Sequence, residues 1–251
     1  MSNCQIPPTK YNQQVLEEYE FFINKMKNKE PFAFGHFNDG EMQYILNKSQ
    51  DPISRGAQDY DSKLAQHLRE VFLINNANFY RGIPCRKCFP EMRKESEELL
   101  QLHETKNIPT TPACVFHHNY LKRKNKLLQT IMSYDSITWV TNHVFDLDRV
   151  LYKMEQLKES KESKRKSIRH IRIPGNNGYN KYEEMKTMEY TPGELVLYLC
   201  GPLGRILAGE SSVKYPNTTF LCLGSYFDNL SNNMEHSYYF DDKLCEECCP
   251  P

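Results

Sequence analysis

Phe32-Ala-Phe-Gly-His-Phe-Asn-Asp-Gly-Glu-Met-Gln-Tyr-Ile-Leu46 is the stretch from which the fold is read. Its apolar, aromatic first part, Phe32 to Phe37, reads as a buried strand that stops at Asn38-Asp39-Gly40-Glu41. Met42, Ile45 and Leu46 then recur at helical spacing, so a helix starts there. Asp39 and Glu41 therefore fall at the carboxyl end of a strand, where open α/β sheets bind their ligands. Two carboxylates separated by Gly40 can face one divalent cation, because glycine allows a tight backbone with no side chain in the way. Hard oxygen ligands suit Mg²⁺ or Mn²⁺, which share their other positions between water and phosphate. The same residues also read as an ordinary helix N-terminus, with Asp39 as cap and Glu41 at the positive end of the helix dipole.

Working outward, the elements alternate. Residues 12–28 place Leu16, Tyr19, Ile23 and Met26 on one helical face, and 61–75 do the same with Leu64, Leu68, Val71 and Phe72. Strands are predicted at 78–83, 113–116, 136–141, 167–173, 194–200 and 218–223. Helices are predicted near 90–103, 120–133 and 146–157, from about Tyr179, and after Gly201. Strands spaced by helices imply βαβ units, and hence a doubly wound α/β fold with a mostly parallel sheet and helices on both faces. Residues 158–167 (Lys-Glu-Ser-Lys-Glu-Ser-Lys-Arg-Lys-Ser) form a solvated charged connection. The expected organisation is an N-terminal helical segment at 1–29, one domain at 30–240 and a Cys-rich tail at 241–251.

Composition narrows the function classes. Lys+Arg and Asp+Glu number 32 each in 251 residues, so no global field draws the chain to nucleic acid. No apolar run is long enough to span a bilayer. No basic region followed by an apolar one opens the chain, so a cytosolic protein is expected. Nine cysteines are an odd count and do not read as a secreted disulfide framework. Cys85-Arg-Lys-Cys88 and Cys245-Glu-Glu-Cys248 can make a Cys₄ zinc site if the fold joins them; otherwise they are two unrelated sets of thiols. Cys114, Cys200 and Cys222 lie in apolar runs and read as small buried hydrophobes.

The predicted strand ends carry further candidates. Asn142-His143 is a polar pair suited to a base or ribose, or simply a turn. Pro174-Gly-Asn-Asn-Gly-Tyr179 offers backbone amides to a ligand, or again only a turn. In Gly201-Pro-Leu-Gly-Arg205 the glycine permits close backbone approach and Pro202 suits the first helical position. The helix N-terminus there attracts phosphate, and Arg205 can add a charge-assisted contact. Leu223 leads into Gly224-Ser-Tyr-Phe-Asp228, followed by Glu235 and His236.

Taken in order, Phe37-Asn-Asp-Gly-Glu41, Ile171-Arg-Ile-Pro-Gly-Asn-Asn-Gly-Tyr-Asn-Lys-Tyr-Glu-Glu184, Leu197-Tyr-Leu-Cys-Gly-Pro-Leu-Gly-Arg-Ile-Leu207 and Cys222-Leu-Gly-Ser-Tyr-Phe-Asp228 resemble the landmarks of the GT-D-type glycosyltransferases. That family was first described as a bacterial family of unknown function. The resemblance spans about residues 30 to 230. It implies a Rossmann-like fold and a hexosyl- or pentosyltransferase of the EC 2.4 class. The donor would be a nucleotide sugar (UDP-linked by default) and the acceptor a hydroxyl of a glycan or glycosylated molecule. Asp39 and Glu41 would hold Mn²⁺ or Mg²⁺. Asn38, Gly40, Asn142, His143, Pro174, Asn177, Tyr182, Gly201, Pro202 and Arg205 would line the donor site. Asp228, then Glu235, are the candidate bases. Two departures stand out: Asn38 replaces a glycine and Ser225 replaces a histidine, so that histidine's role has no bearer at its own position here. The cysteine clusters also lack an expected counterpart, which suggests a divergent branch. Rival readings are a metal-dependent phosphohydrolase, a nucleotide-binding module without catalysis, and an interaction protein organised by structural Zn²⁺.

Overall fold

The computed structural model describes residues 10–53, 57–85, 89–103, 108–117, 120–157 and 166–232. Its elements run α1 (Lys10–Lys27), β1 (Ala33–His36), α2 (Asp39–Ile45), α3 (Ser62–Phe72), β2 (Phe79–Ile83), α4 (Pro90–Leu102), β3 (Thr110–Pro112), α5 (Tyr120–Ile131) and β4 (Ser136–Asn142). They continue with α6 (Leu147–Glu155), β5 (Ser167–Ile173), α7 (Tyr182–Met185), β6 (Leu195–Leu199), α8 (Pro202–Lys214), β7 (Thr219–Cys222) and α9 (Asp228–Asn232). Single 3₁₀ turns cover Ala113–Val115 and Gly178–Lys181.

The strands form one seven-stranded sheet in the order β3-β2-β1-β7-β6-β4-β5, and every pairing is parallel. Both faces are covered, which explains why strands such as Leu195-Val-Leu-Tyr-Leu199 read as continuous apolar runs. Leu195, Leu197 and Leu199 join one core with α1, α5, α6 and α9, while Val196 and Tyr198 join the other with α2, α3, α4, α7 and α8. Each crossover towards β3 runs through the α2/α8 layer and each crossover towards β5 through the α1/α6 layer. A constant crossover hand requires this arrangement. β7 is followed by α9 on one face, whereas its neighbours β1 and β6 lead into α2 and α8 on the other. The loops therefore part at β7, the kind of switch point at which open parallel sheets bind their ligands.

The N-terminal helix α1 packs on the sheet, with Tyr19, Phe22, Ile23 and Met26 buried in the same core as Trp139 of β4. Two expectations change. The strand expected at 113–116 lies one step earlier as β3, and Ala113–Val115 turns in a 3₁₀ helix. A short apolar run does not distinguish a strand from a buried turn, and Val115 and Phe116 are buried in either case. Cys114 is accordingly half-buried rather than inside a strand, whereas Cys200 and Cys222 are buried as expected. The helix expected from Tyr179 is a 3₁₀ turn followed by the single turn of α7. Among the described residues no helix is long and apolar enough to cross a membrane.

Candidate functional site

The site is assembled around Arg205. Gly201, held at φ 62, turns the chain sharply out of β6, and Pro202 opens α8. That turn delivers Arg205 beneath the ends of β1 and β7 rather than into solvent: the residue is 5% exposed. Its Nε donates to the His36 carbonyl at 2.8 Å, and its Nη2 lies 3.0 Å from Glu41 Oε1 and 3.5 Å from His36 Nδ1. The remaining nitrogen, Nη1, is buried with no acceptor among the described residues. The Leu223–Asp228 segment closes the group from β7. Gly224 adopts φ 57, and a Cβ added there would lie 3.3 Å from His36 Nδ1 and 3.7 Å from Arg205 Nη2. The His36 ring packs 5.1 Å from that of His117, which sits 5.6 Å from Tyr226.

The two carboxylates of the first motif diverge. Asn38 is the N-cap of α2, so Asp39 and Glu41 are its first and third helical residues. Side chains two apart on a helix point about 200° apart, so they do not converge on one point. Glu41 turns inward: it is 4% exposed, Oε1 meets Arg205, and Oε2 accepts the Asn38 N–H at 3.3 Å. Asp39 stays half-buried, and no hydrogen bond or ion pair reaches its carboxylate among the described residues. Gly40 packs on Ile53, 3.2 Å from where a Cβ would be.

Electrostatics follow from burial. Burial lifts the Glu41 carboxyl above the usual carboxylate range, and Arg205 pulls it part of the way back. Burial opposes the Arg205 charge, but Glu41 together with Cys222 and Cys200 more than offsets it and carries the guanidinium above its ordinary value. His36 is pushed well below the ordinary histidine range by burial and then by His117 and Arg205, so its imidazole is neutral at pH 7. A neutral Nδ1 facing Arg205 Nη2 is an acceptor, which places the ring proton on Nε2.

The other candidates gather elsewhere. His143 Nδ1 accepts the Gly175 N–H at 2.8 Å, and Asn142 Oδ1 accepts the Val144 N–H at 3.2 Å, so both side chains serve backbone. Asn177, in a left-handed conformation (φ 51), fastens the Pro174–Tyr179 loop to the chain before α3. Its amide oxygen accepts from Asp59 N at 2.9 Å, its nitrogen donates to Asp59 Oδ2 at 2.9 Å, and its own N–H donates to the Ala57 carbonyl at 2.7 Å. Pro174 is exposed at the end of β5. Tyr182 donates to Glu210 at 3.0 Å, and Glu210 also meets His67 Nε2 at 2.7 Å. Asp228 is half-buried at the start of α9. Glu235, Cys88, Cys245 and Cys248 lie outside the described residues, and Cys85 is half-buried after β2.

Sequence reasoning missed His36, His117 and Glu210. His36 stood in the opening stretch as the last residue of β1, and its place at a strand end was the available signal. His117 and Glu210 gave none, because their roles depend on neighbours 81 and 143 residues away in the chain.

These residues stand at the carboxyl ends of the strands of an all-parallel α/β sheet, where its loops part. No protein-family profile and no curated protein matches the chain. Among solved structures it is similar to one described as "The highly conserved domain of unknown function 1792 has a distinct glycosyltransferase fold". There the TM-score is 0.57 at 15% identity, over 91% of this chain and 88% of that one. It is also similar to "A New Glycosyltransferase (DUF1792) from Streptococcus sanguinis", with TM-score 0.57 at 18% identity over 95% and 93% of the two chains. The chain therefore has this glycosyltransferase fold. The motif resemblance and the fold likeness lead to the same group of structures.

Proposed function

We propose that the protein is a glycosyltransferase that moves a sugar from a nucleotide-sugar donor, UDP-linked by default, to an acceptor hydroxyl of a glycan or glycosylated molecule. The observation that carries this reading is the convergence on Arg205 of three separate motif segments, Asn38–Glu41, Gly201–Arg205 and Leu223–Asp228. They converge at the strand ends of a glycosyltransferase fold. Arg205 supplies a fixed positive charge there, and Nη1 is the donor left for a diphosphate oxygen.

Asp39 fits a divalent cation of the kind that one or two carboxylates share with a substrate phosphate. Mn²⁺ or Mg²⁺ bound there would neutralise charge on the leaving diphosphate. Arg205 adds to that neutralisation from beneath, and its fixed orientation requires no rearrangement as charge develops. An acceptor hydroxyl attacks the anomeric carbon and gives its proton to a carboxylate, for which Asp228 is the first candidate and Glu235 the second. His143 holds the Gly175 loop by accepting its N–H, and Asn142 holds the Val144 N–H at the end of β4. A phosphohydrolase built on several metal ligands has less support: among the described residues no group of three His, Cys, Asp or Glu side chains is placed to hold a metal ion.

The test is incubation with a panel of nucleotide sugars, with and without Mn²⁺, following melting temperature and nucleoside diphosphate release. A donor at a hundred times its Kd stabilises the fold by about 2.7 kcal/mol, a readily measured shift. Asp39→Ala is expected to abolish both the shift with Mn²⁺ and the release. If no nucleotide sugar shifts the transition or is consumed, the reading is wrong.

A further inference from the structure

The two carboxylates of Asp39-Gly40-Glu41 look interchangeable on paper, yet α2 sends them in opposite directions. We infer that they have different tasks: Glu41 is a positioning residue that fixes the Arg205 guanidinium, and Asp39 alone is the carboxylate that meets a ligand. This deepens the glycosyltransferase reading and rests on it for the ligand's identity.

Helix geometry comes first. Asp39 and Glu41 are two residues apart within α2, so one cation cannot be reached by both without unwinding the first turn. Gly40 does not relieve this constraint, because it is packed on Ile53. Glu41's oxygens are both engaged inside the protein, one by Arg205 Nη2 and one by the Asn38 N–H. Swinging Glu41 outward would leave a guanidinium that is 5% exposed without its counter-charge, an arrangement proteins avoid.

Arg205 completes the argument. A guanidinium is a planar fork whose donors have fixed directions. Here the Nε and Nη2 side is held by the His36 carbonyl, the His36 ring and Glu41. Among the described residues that leaves Nη1 as the guanidinium nitrogen without an acceptor, presented in a direction set by Glu41. Asp39 carries no hydrogen bond or ion pair among the described residues, which makes it the carboxylate of the pair left for a ligand.

Binding of Mn²⁺ and of UDP by the purified full chain separates the roles. Mn²⁺ affinity in the presence of UDP is read by electron paramagnetic resonance, and metal-free UDP affinity by calorimetry. Asp39→Asn is expected to weaken Mn²⁺ at least tenfold, while Glu41→Gln, which keeps the hydrogen bond to Arg205, stays within threefold of the parent. Glu41→Ala is expected to weaken metal-free UDP at least tenfold, as does Arg205→Met, and the double variant to be no worse than Arg205→Met alone. Mn²⁺ loss in Glu41→Gln equal to that in Asp39→Asn overturns the inference. A parent protein that binds neither probe overturns the functional reading and Asp39's part with it. Glu41's part is then decided by the Arg205 Nε–H signal in NMR, expected in the parent and in Glu41→Gln and lost in Glu41→Ala. An unchanged signal in Glu41→Ala overturns that part as well.

Discussion

At the scale of single residues, this protein keeps Arg81 and His36 inside by two different means. Arg81 on β2 is fully buried, and its guanidinium donates to the carbonyls of Phe72, Phe79 and Ile74. Burial lowers its pKa to about 9, which still leaves it charged at neutral pH. His36 meets the opposite fate and stays neutral, and this has a pH consequence. Its folded pKa lies well below the ordinary 6.5, so as pH falls below that value the unfolded chain takes up a proton that the folded chain refuses. Stability is therefore full above pH 6.5 and declines as pH drops towards the folded value, by at most about 1.4 kcal/mol per pH unit. Melting temperatures from pH 7.5 to 5 should fall in the parent and fall less steeply in His36→Gln. Equal slopes would mean that the loss arises elsewhere.

Among the elements, α8 organises the site because it is packed so closely. Gly209 lets α8 lie against α3 and β2: a Cβ there would be 2.3 Å from Val71 Cγ1 and 3.0 Å from Phe79 Cε1. Alanine is worth about 1 kcal/mol more than glycine inside a helix, so on propensity alone Gly209→Ala would stabilise. Overpacking costs about 1–3 kcal/mol, and a contact this short has no relaxation without moving α3, so the clash wins. Urea denaturation of Gly209→Ala should show net destabilisation of about 1 kcal/mol or more, and a gain in stability would refute the packing argument. The start of α2 shows how an element boundary decides chemistry. In a loop, an Asp-Gly-Glu triplet can close on one ion. As the first helical turn, it separates its two carboxylates.

Across the whole molecule, the sheet is most secure in its middle. β2, β1, β7, β6 and β4 have neighbours on both sides, while β3 has three residues and β5 carries exposed Ser167, Ile168 and Arg169 at the other edge. Hydrogen exchange is expected to be slowest for the β1, β6 and β7 amides and faster in β3 and β5. If β5 amides prove as protected as those of β6, the edge assignment is wrong. The Arg205 cluster sits over the strands expected to be most protected, which holds its geometry fixed.

How much of this was legible in the chain follows from the range of each interaction. The strand at Phe32–Phe37, the helix after it, the βαβ alternation and the Gly201-Pro202 turn were readable, because periodicity and turn chemistry act over a few neighbouring residues. The four motif segments could also be picked out in order. The strand expected at 113–116 failed because a short apolar run reports burial and not backbone shape. Partnership was beyond reach of the sequence. That Glu41 faces Arg205, 164 residues away, and that His36 meets His117, depends on the sheet order that sets β1 beside β7. The sequence alone determined an α/β protein with carboxylates at a strand end. Only the tertiary structure decided which carboxylate is buried against Arg205, because side-chain direction on a helix and burial against a distant strand exist only once the chain is packed.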